Sequence, residues 1–379
     1  MGSEAVGARA ESGVPELALI GGCGSSGTTL LAHLLSRHSA VASTPEIDFF
    51  NHPEVLRLTS LRQHLDALYR KGRPLCGYKL FSSFLHHVDD LGLDRASFEQ
   101  MLARTSSSRE LFLALARQIT RQAGAICFVE QTPTNVYLFP EFTAHYPEFK
   151  LIHPIRDGRD VATSFMRRGK SLYYAGSRWL YDTLAGLQVR GSPSYLEIHY
   201  EELARQPVPT LTAVVRHLGL DFEEAMLEAP AKEAKAAAEP DRDDASRAVY
   251  EEDWRGRRAP RNWTHVPDGP ISTSSIGRFR EQLSARQLST LYRIRLTREA
   301  RSRLDAPVDG FAELLEYLGY DLAEPRPAAV TLDLRARETL AQLSDGVRRG
   351  LLGLRRAGTP GRPLTTLDAQ PRAAPSDRG

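Results

Sequence analysis

Two groups of residues have the types and spacing needed for chemistry. The first is a run of small residues, 21–27 (GGCGSSG), followed at once by Thr28 and Thr29. Gly21, Gly22, Gly24 and Gly27 can take backbone angles closed to other residues, and a loop without bulk lets a ligand reach its N–H groups. A helix starting at Thr28 adds unpaired donors and a dipole that favour an anion. Gly24, Ser25, Ser26, Gly27, Thr28 and Thr29 are therefore candidates to hold a phosphate. The second group lies in 151–168, LIHPIRDGRDVATSFMRR: Arg156, then Ser164, then Arg168 one helical turn further on. On a helix Ser164 and Arg168 share a face. Two arginines and a hydroxyl so arranged can hold a second phosphate by charge-assisted hydrogen bonds. Alternatives stay open for both: a plain strand-to-helix turn for the first, and surface salt bridges for the second, Arg156 with Asp157 and Arg159 with Asp160.

From Gly22 to Thr29 the spacing is G-x-x-x-x-G-T-T. It matches the triphosphate-binding loop G-x-x-x-x-G-K-[ST] except that Thr28 stands in the lysine's place. That lysine reaches the β- and γ-phosphates, so its absence points to a single phosphate group rather than a triphosphate.

The elements that must carry these groups alternate. Apolar runs at 17–20, 125–129, 150–155 and 194–199 read as strands, with a further candidate at 74–81. Helical periodicity is expected at 28–37, 56–69, 97–104, 109–122, 135–145, 161–168, 171–190, 209–218, 285–295 and 308–318. This alternation predicts an α/β fold of the P-loop type, a mostly parallel sheet with helices on both faces. The expected organisation is a disordered leader at 1–14 and a single domain at 15–325, in which 230–270 is a surface excursion or lid. A C-terminal helix at 326–354 and a disordered tail at 355–379 follow.

With 41% hydrophobic and 25% charged residues the chain is ordinary for a globular protein, and a formal charge of +2 gives no support to a nucleic-acid binder. The first residues lack the apolar core of a secretory signal and no run is long enough for a membrane span, so a cytoplasmic enzyme is the expectation. Cys23, Cys76 and Cys127 form no C-x-x-C pair, and no metal-ligand spacing is visible. Cys23 reads as a small buried residue rather than a nucleophile. His33 and His38, on or just after the first helix, read as surface residues.

Taken together, the loop and the arginine stretch make the chain resemble the sulfotransferases that use 3′-phosphoadenosine 5′-phosphosulfate (PAPS). The closer likeness is to the branch holding the tyrosylprotein sulfotransferases and many bacterial enzymes. Ser26-Gly27-Thr28-Thr29 match the family's loop for the 5′-phosphosulfate, and Arg156, Ser164 and Arg168 match its 3′-phosphate stretch. HYEEL at 199–203 implies a cofactor contact for Tyr200, and SSIGRF at 274–279 implies one between Arg278 and the 3′-phosphate. Glu46, on a turn set by Pro45, matches the family's acidic base, which takes a proton from an acceptor hydroxyl. The resemblance implies PAPS as donor, no metal, and a small-molecule or glycan hydroxyl, or a tyrosine, as acceptor.

Two positions depart from the family pattern. Ser25 stands where the family's loop has Arg or Lys, and Gln131 stands where a second basic residue is common. Lys79 is the favoured replacement, with Lys170 a second candidate. Two other readings remain: a P-loop small-molecule kinase with Glu130 as the Mg²⁺-associated carboxylate, and a nucleotide-binding protein of this fold that has lost catalysis.

Overall fold

A computed structural model describes residues 15–44, 46–47, 49–51, 58–59, 61–63, 91, 93–228, 250–252, 258–260 and 271–322. The expected leader, most of the excursion, the C-terminal helix and tail, the strand at 74–81 with Lys79, and most of the helix at 56–69 lie outside the described residues.

The central strand is β1 (Glu16–Ile20). Its side chains alternate between two cores: Leu17 and Leu19 pack on one face of the sheet, Ala18 and Ile20 on the other. A strand buried on both faces needs helices on both, which is the condition for a parallel sheet. β2 (Val41–Ser43), β3 (Cys127–Gln131), β4 (Phe149–Ile155) and β5 (Tyr195–His199) complete it. The order is β2-β3-β1-β4-β5, with every pairing parallel. β2 and β3 fall to one side of β1, and β4 and β5 to the other. The order therefore reverses beside β1, and ligands of such sheets sit at the C-terminal edge at that point.

α1 (Thr28–Leu35) follows β1 and buries Leu31, Leu34 and Leu35 against the Ala18/Ile20 face. The opposite face carries an aromatic core in which Phe112 packs against Phe49, Phe50, Phe128 and Phe149. α2 (Arg95–Ala103) and α3 (Ser108–Ala123) cover that side, and the side chains of Asp94 and Ser107 cap them by accepting from the Ser97 and Glu110 N–H groups. Among the described residues no helix is long and apolar enough to cross a membrane.

Three elements differ from expectation. The helix expected at 135–145 is split into a 3₁₀ turn, Pro133–Tyr137, and α4 (Phe139–His145). Pro140 has no N–H to continue a ladder from the preceding turn. β3 runs on through Glu130 and Gln131, paired with Leu19 and Ile20 of β1, because the buried Glu130 carboxylate is bound by the Thr132 hydroxyl and the Asn135 amide, both at 2.6 Å. Residues 250–252 and 258–260 form an antiparallel strand pair within the expected excursion.

β4 also carries His153, fully buried beside Phe139 and Tyr195, its Nδ1 2.8 Å from the Tyr195 hydroxyl and its Nε2 without a partner. Burial pushes its pKa down to about 4. The unfolded chain takes up a proton near pH 6.5 and the folded chain does not, so stability falls as pH drops from about 6.5 to about 4. The loss is expected to reach about 3 kcal/mol. Chemical denaturation across this window checks it: His153→Phe should flatten the slope, and an unchanged slope would contradict the assignment.

Candidate active site

The loop at 21–27 leaves β1 at the sheet's C-terminal edge, held there by the Gly21 N–H on the Ile152 carbonyl (3.0 Å) and the Gly22 N–H on the Pro133 carbonyl (2.9 Å). Gly27 is the N-cap of α1 in the left-handed region (φ 93°), with no side chain capping the helix. Glycine is required there twice over, since a Cβ would also lie 2.6 Å from the Tyr200 ring. The first donors of α1 are thus presented without a protein side chain across them. Ser26 is buried and its Oγ has no hydrogen-bond partner. A buried hydroxyl left unpaired costs about 1–3 kcal/mol, and an oxyanion in the loop would satisfy it.

The arginine stretch meets this loop. Arg156 directly follows β4, and α5 (Gly158–Arg167) comes next, capped by Asp157, with Arg168 as its C-cap. The Arg156 Nη1 donates to the Ser25 carbonyl at 3.1 Å, the Ser164 hydroxyl lies 3.1 Å from Ser25 Oγ, and Arg168 Nη2 donates to that same Oγ. All three expected clamp residues therefore converge on one loop residue. Arg156 Nε is buried without a partner, a second donor suited to an anion. Salt bridges do not consume the stretch in the way the alternative supposed: Arg159 pairs with Asp157 at 2.7 Å. Asp160 instead accepts from the Gly277 and Phe279 N–H groups at 2.7 and 2.9 Å.

Tyr200, the first residue of α7 (Tyr200–Arg205), lies with its ring 4.3 Å under the Arg156 guanidinium. The segment at 271–278 comes to the same place through Ser275, which sequence reasoning missed. Its carbonyl accepts from Arg156 Nη2 and its hydroxyl bonds the Tyr200 hydroxyl. A backbone carbonyl gives no signal in a sequence. Arg278, singled out from that segment, is half-buried and donates to the Ser274 carbonyl of its own loop at 2.7 Å.

Behind the clamp stands α6 (Leu172–Leu187). Trp179 is fully buried and its Nε1 donates to the Arg156 carbonyl at 2.9 Å, while its ring leaves no space for a Cβ at Gly158. α6 thus uses Trp179 to fix the backbone of the arginine. Cys23 is buried near Asp182, and burial first, then that carboxylate, pushes its thiol well above the usual range. Asp182 also accepts from the Tyr137 hydroxyl and from Arg178 Nε. A thiol so protonated is no nucleophile.

Glu46 is half-buried and lies three residues beyond the end of β2, where Ser43 pairs with Val129. The backbone therefore brings it to the same sheet edge as the loop. Gln131 donates from Nε2 to Thr28 Oγ1 at 3.2 Å, so a neutral amide touches the residue standing in the lysine's place. Lys170 lies 5.6 Å from the Tyr174 ring centre. Glu130, the carboxylate of the kinase reading, is 0% exposed and bound as described above, which leaves it unsuited to a solvated Mg²⁺. His38 is a correction to the surface reading: it is buried, with Nε2 2.7 Å from the Asp221 carbonyl. A cavity of about 410 Å³ adjoins the Asp157 turn, lined by Arg159, His199, Glu201, Arg280 and Tyr320 among others, but by no residue of the loop.

A parallel sheet with a glycine-rich loop and helix N-terminus at its reversal point defines an α/β protein of the P-loop type. A family model described as the sulfotransferase family matches residues 18–224, more than half of the chain, and the chain belongs to that family. The sulfotransferase domain of the Synechococcus PCC 7002 olefin synthase is similar in fold, with a TM-score of 0.50 at 20% identity over 81% of this chain and 95% of its own. The sulfotransferase domain from the curacin biosynthetic pathway gives 0.49 at 15%, over 82% and 99%. A sulfotransferase from Mycobacterium avium gives 0.38 at 16%, over 81% of each chain. No curated protein matches the chain.

Proposed function

We propose that the chain transfers a sulfuryl group from PAPS to a hydroxyl of a small-molecule or glycan acceptor. The observation that supports this most is the convergence of Arg156 and Ser164 on Ser25, beside the unpaired Ser26 hydroxyl and Arg156 Nε. In this reading the loop N–H groups from Gly24 to Thr29 bind the 5′-phosphosulfate. Arg156, Ser164 and the segment carrying Ser275 and Arg278 bind the 3′-phosphate, and Tyr200 flanks the nucleoside. Glu46 accepts the acceptor's proton as the new oxygen–sulfur bond forms. Residues 15–325 act as one such unit, working in the cytoplasm.

Incubation with ³⁵S-labelled PAPS and a panel of sugar, phenol and alkyl alcohols tests the activity. The expected products are a labelled sulfate ester and 3′-phosphoadenosine 5′-phosphate. Phosphorylation of the same panel from ATP with Mg²⁺, and no transfer of label, would replace this reading with the kinase.

A further inference from the structure

We propose that Arg168, rather than any residue of the loop, supplies the positive charge that transfer requires at the donor's bridging oxygen; the proposal rests on the sulfotransferase reading above. When the acceptor oxygen bonds to sulfur, the bond from sulfur to the bridging oxygen breaks and its electron pair stays on the 5′-phosphate. The acceptor's proton goes to Glu46. Negative charge therefore grows on the bridging oxygen, and a preorganised donor aimed there is worth about 100- to 1000-fold in rate.

The loop holds no cation from Gly21 to Thr29, and its neighbour at the end of β3 is the neutral Gln131, turned to Thr28. A guanidinium reaches the loop from outside instead. Arg168 Nη2 donates to Ser25 Oγ, and Ser25 is the one non-glycine residue at positive φ (74°) among those described. Holding that conformation costs about 1 kcal/mol or more, and the contacts from Arg168, Ser164 and Arg156 maintain it.

The two arginines differ in what they face. Arg156 binds the carbonyls of Ser25 and Ser275 and lies over Tyr200, on the side of the 271–278 segment. Arg168 instead meets the side-chain hydroxyl of the loop residue Ser25, the Oγ that Ser164 also approaches. It is well placed to stay there: its guanidinium lies 4.6 Å over the Phe165 ring, and as C-cap of α5 it sits at the helix end that favours a cation. Arg168 is thus reassigned from the 3′-phosphate, where the family likeness put it, to the reacting centre. In this arrangement one Nη donates to the bridging oxygen in the place now taken by Ser25 Oγ.

The test compares Arg168→Ala, Arg168→Lys and the double variant Ser25→Arg/Arg168→Ala with wild type. Two readouts are taken: affinity for 3′-phosphoadenosine 5′-phosphate by calorimetry, and single-turnover release of ³⁵S from PAPS with water as acceptor. Arg168→Ala should keep the affinity within about threefold while the rate falls about 100-fold or more. The double variant should recover at least about tenfold of that rate, with Arg168→Lys between the two. An affinity loss as steep as that of Arg156→Ala would put Arg168 back at the 3′-phosphate. An unchanged rate, or no recovery in the double variant when it still binds the bisphosphate, would also overturn the assignment. Wild type that binds no bisphosphate would overturn the sulfotransferase reading itself, and the role of Arg168 with it.

Discussion

Arg156→Ala is expected to weaken binding of 3′-phosphoadenosine 5′-phosphate by about two to four orders of magnitude, and binding of 5′-AMP far less. The guanidinium bonds the Ser25 and Ser275 carbonyls through its two Nη groups and holds a buried, unpaired Nε. A hydrogen bond to a charged group contributes about 1.5–3 kcal/mol, and each 1.4 kcal/mol is tenfold in affinity, so losing two such bonds to a phosphate gives that range. The fold should survive, because the Trp179 side chain bonds the Arg156 backbone carbonyl and not its side chain. Titration of both nucleotides against the variant, with a thermal melt as control, checks this. Equal losses for the two would mean that Arg156 supports the loop and does not read the 3′-phosphate.

The second large effect is expected at Glu46. Glu46→Gln keeps the shape and removes the base, so turnover with a good acceptor should fall about 100- to 10,000-fold. Affinity for the bisphosphate should stay within about twofold, since the residue sits beyond β2 and not on the loop or on α5. A variant with full turnover would remove Glu46 from the mechanism. One that lost nucleotide binding would make it part of the donor site.

What could be read from the sequence was what is local. The loop is legible because strand, glycines and helix follow one another within a few residues, and the Arg156–Ser164–Arg168 spacing is legible because helical periodicity fixes it. That these two stretches meet at Ser25 spans more than 130 positions. It was reached only through the family likeness and becomes explicit in the parallel pairing of β1 with β4. Contacts made by backbone atoms were invisible: the Ser275 carbonyl on Arg156, and the N–H groups of Gly277 and Phe279 on Asp160. Polar residues misled in both directions. Glu130 looked like the end of a strand and is inside one, and His38 looked exposed and is buried. In each case a partner distant in sequence or beyond the strand satisfies the polar atoms. Lys79, the cation expected at a strand end near the loop, lies outside the described residues; among those described, a guanidinium that touches Ser25 Oγ comes from the C-terminus of α5.

The donor site is probed by isothermal titration of the full chain with 3′-phosphoadenosine 5′-phosphate, beside 5′-AMP and ATP with Mg²⁺. Saturable one-site binding of the bisphosphate is expected, at least about 100-fold tighter than 5′-AMP, with no tighter binding of ATP with Mg²⁺. Binding of ATP with Mg²⁺ in preference to the bisphosphate, or no binding of the bisphosphate at all, would contradict it.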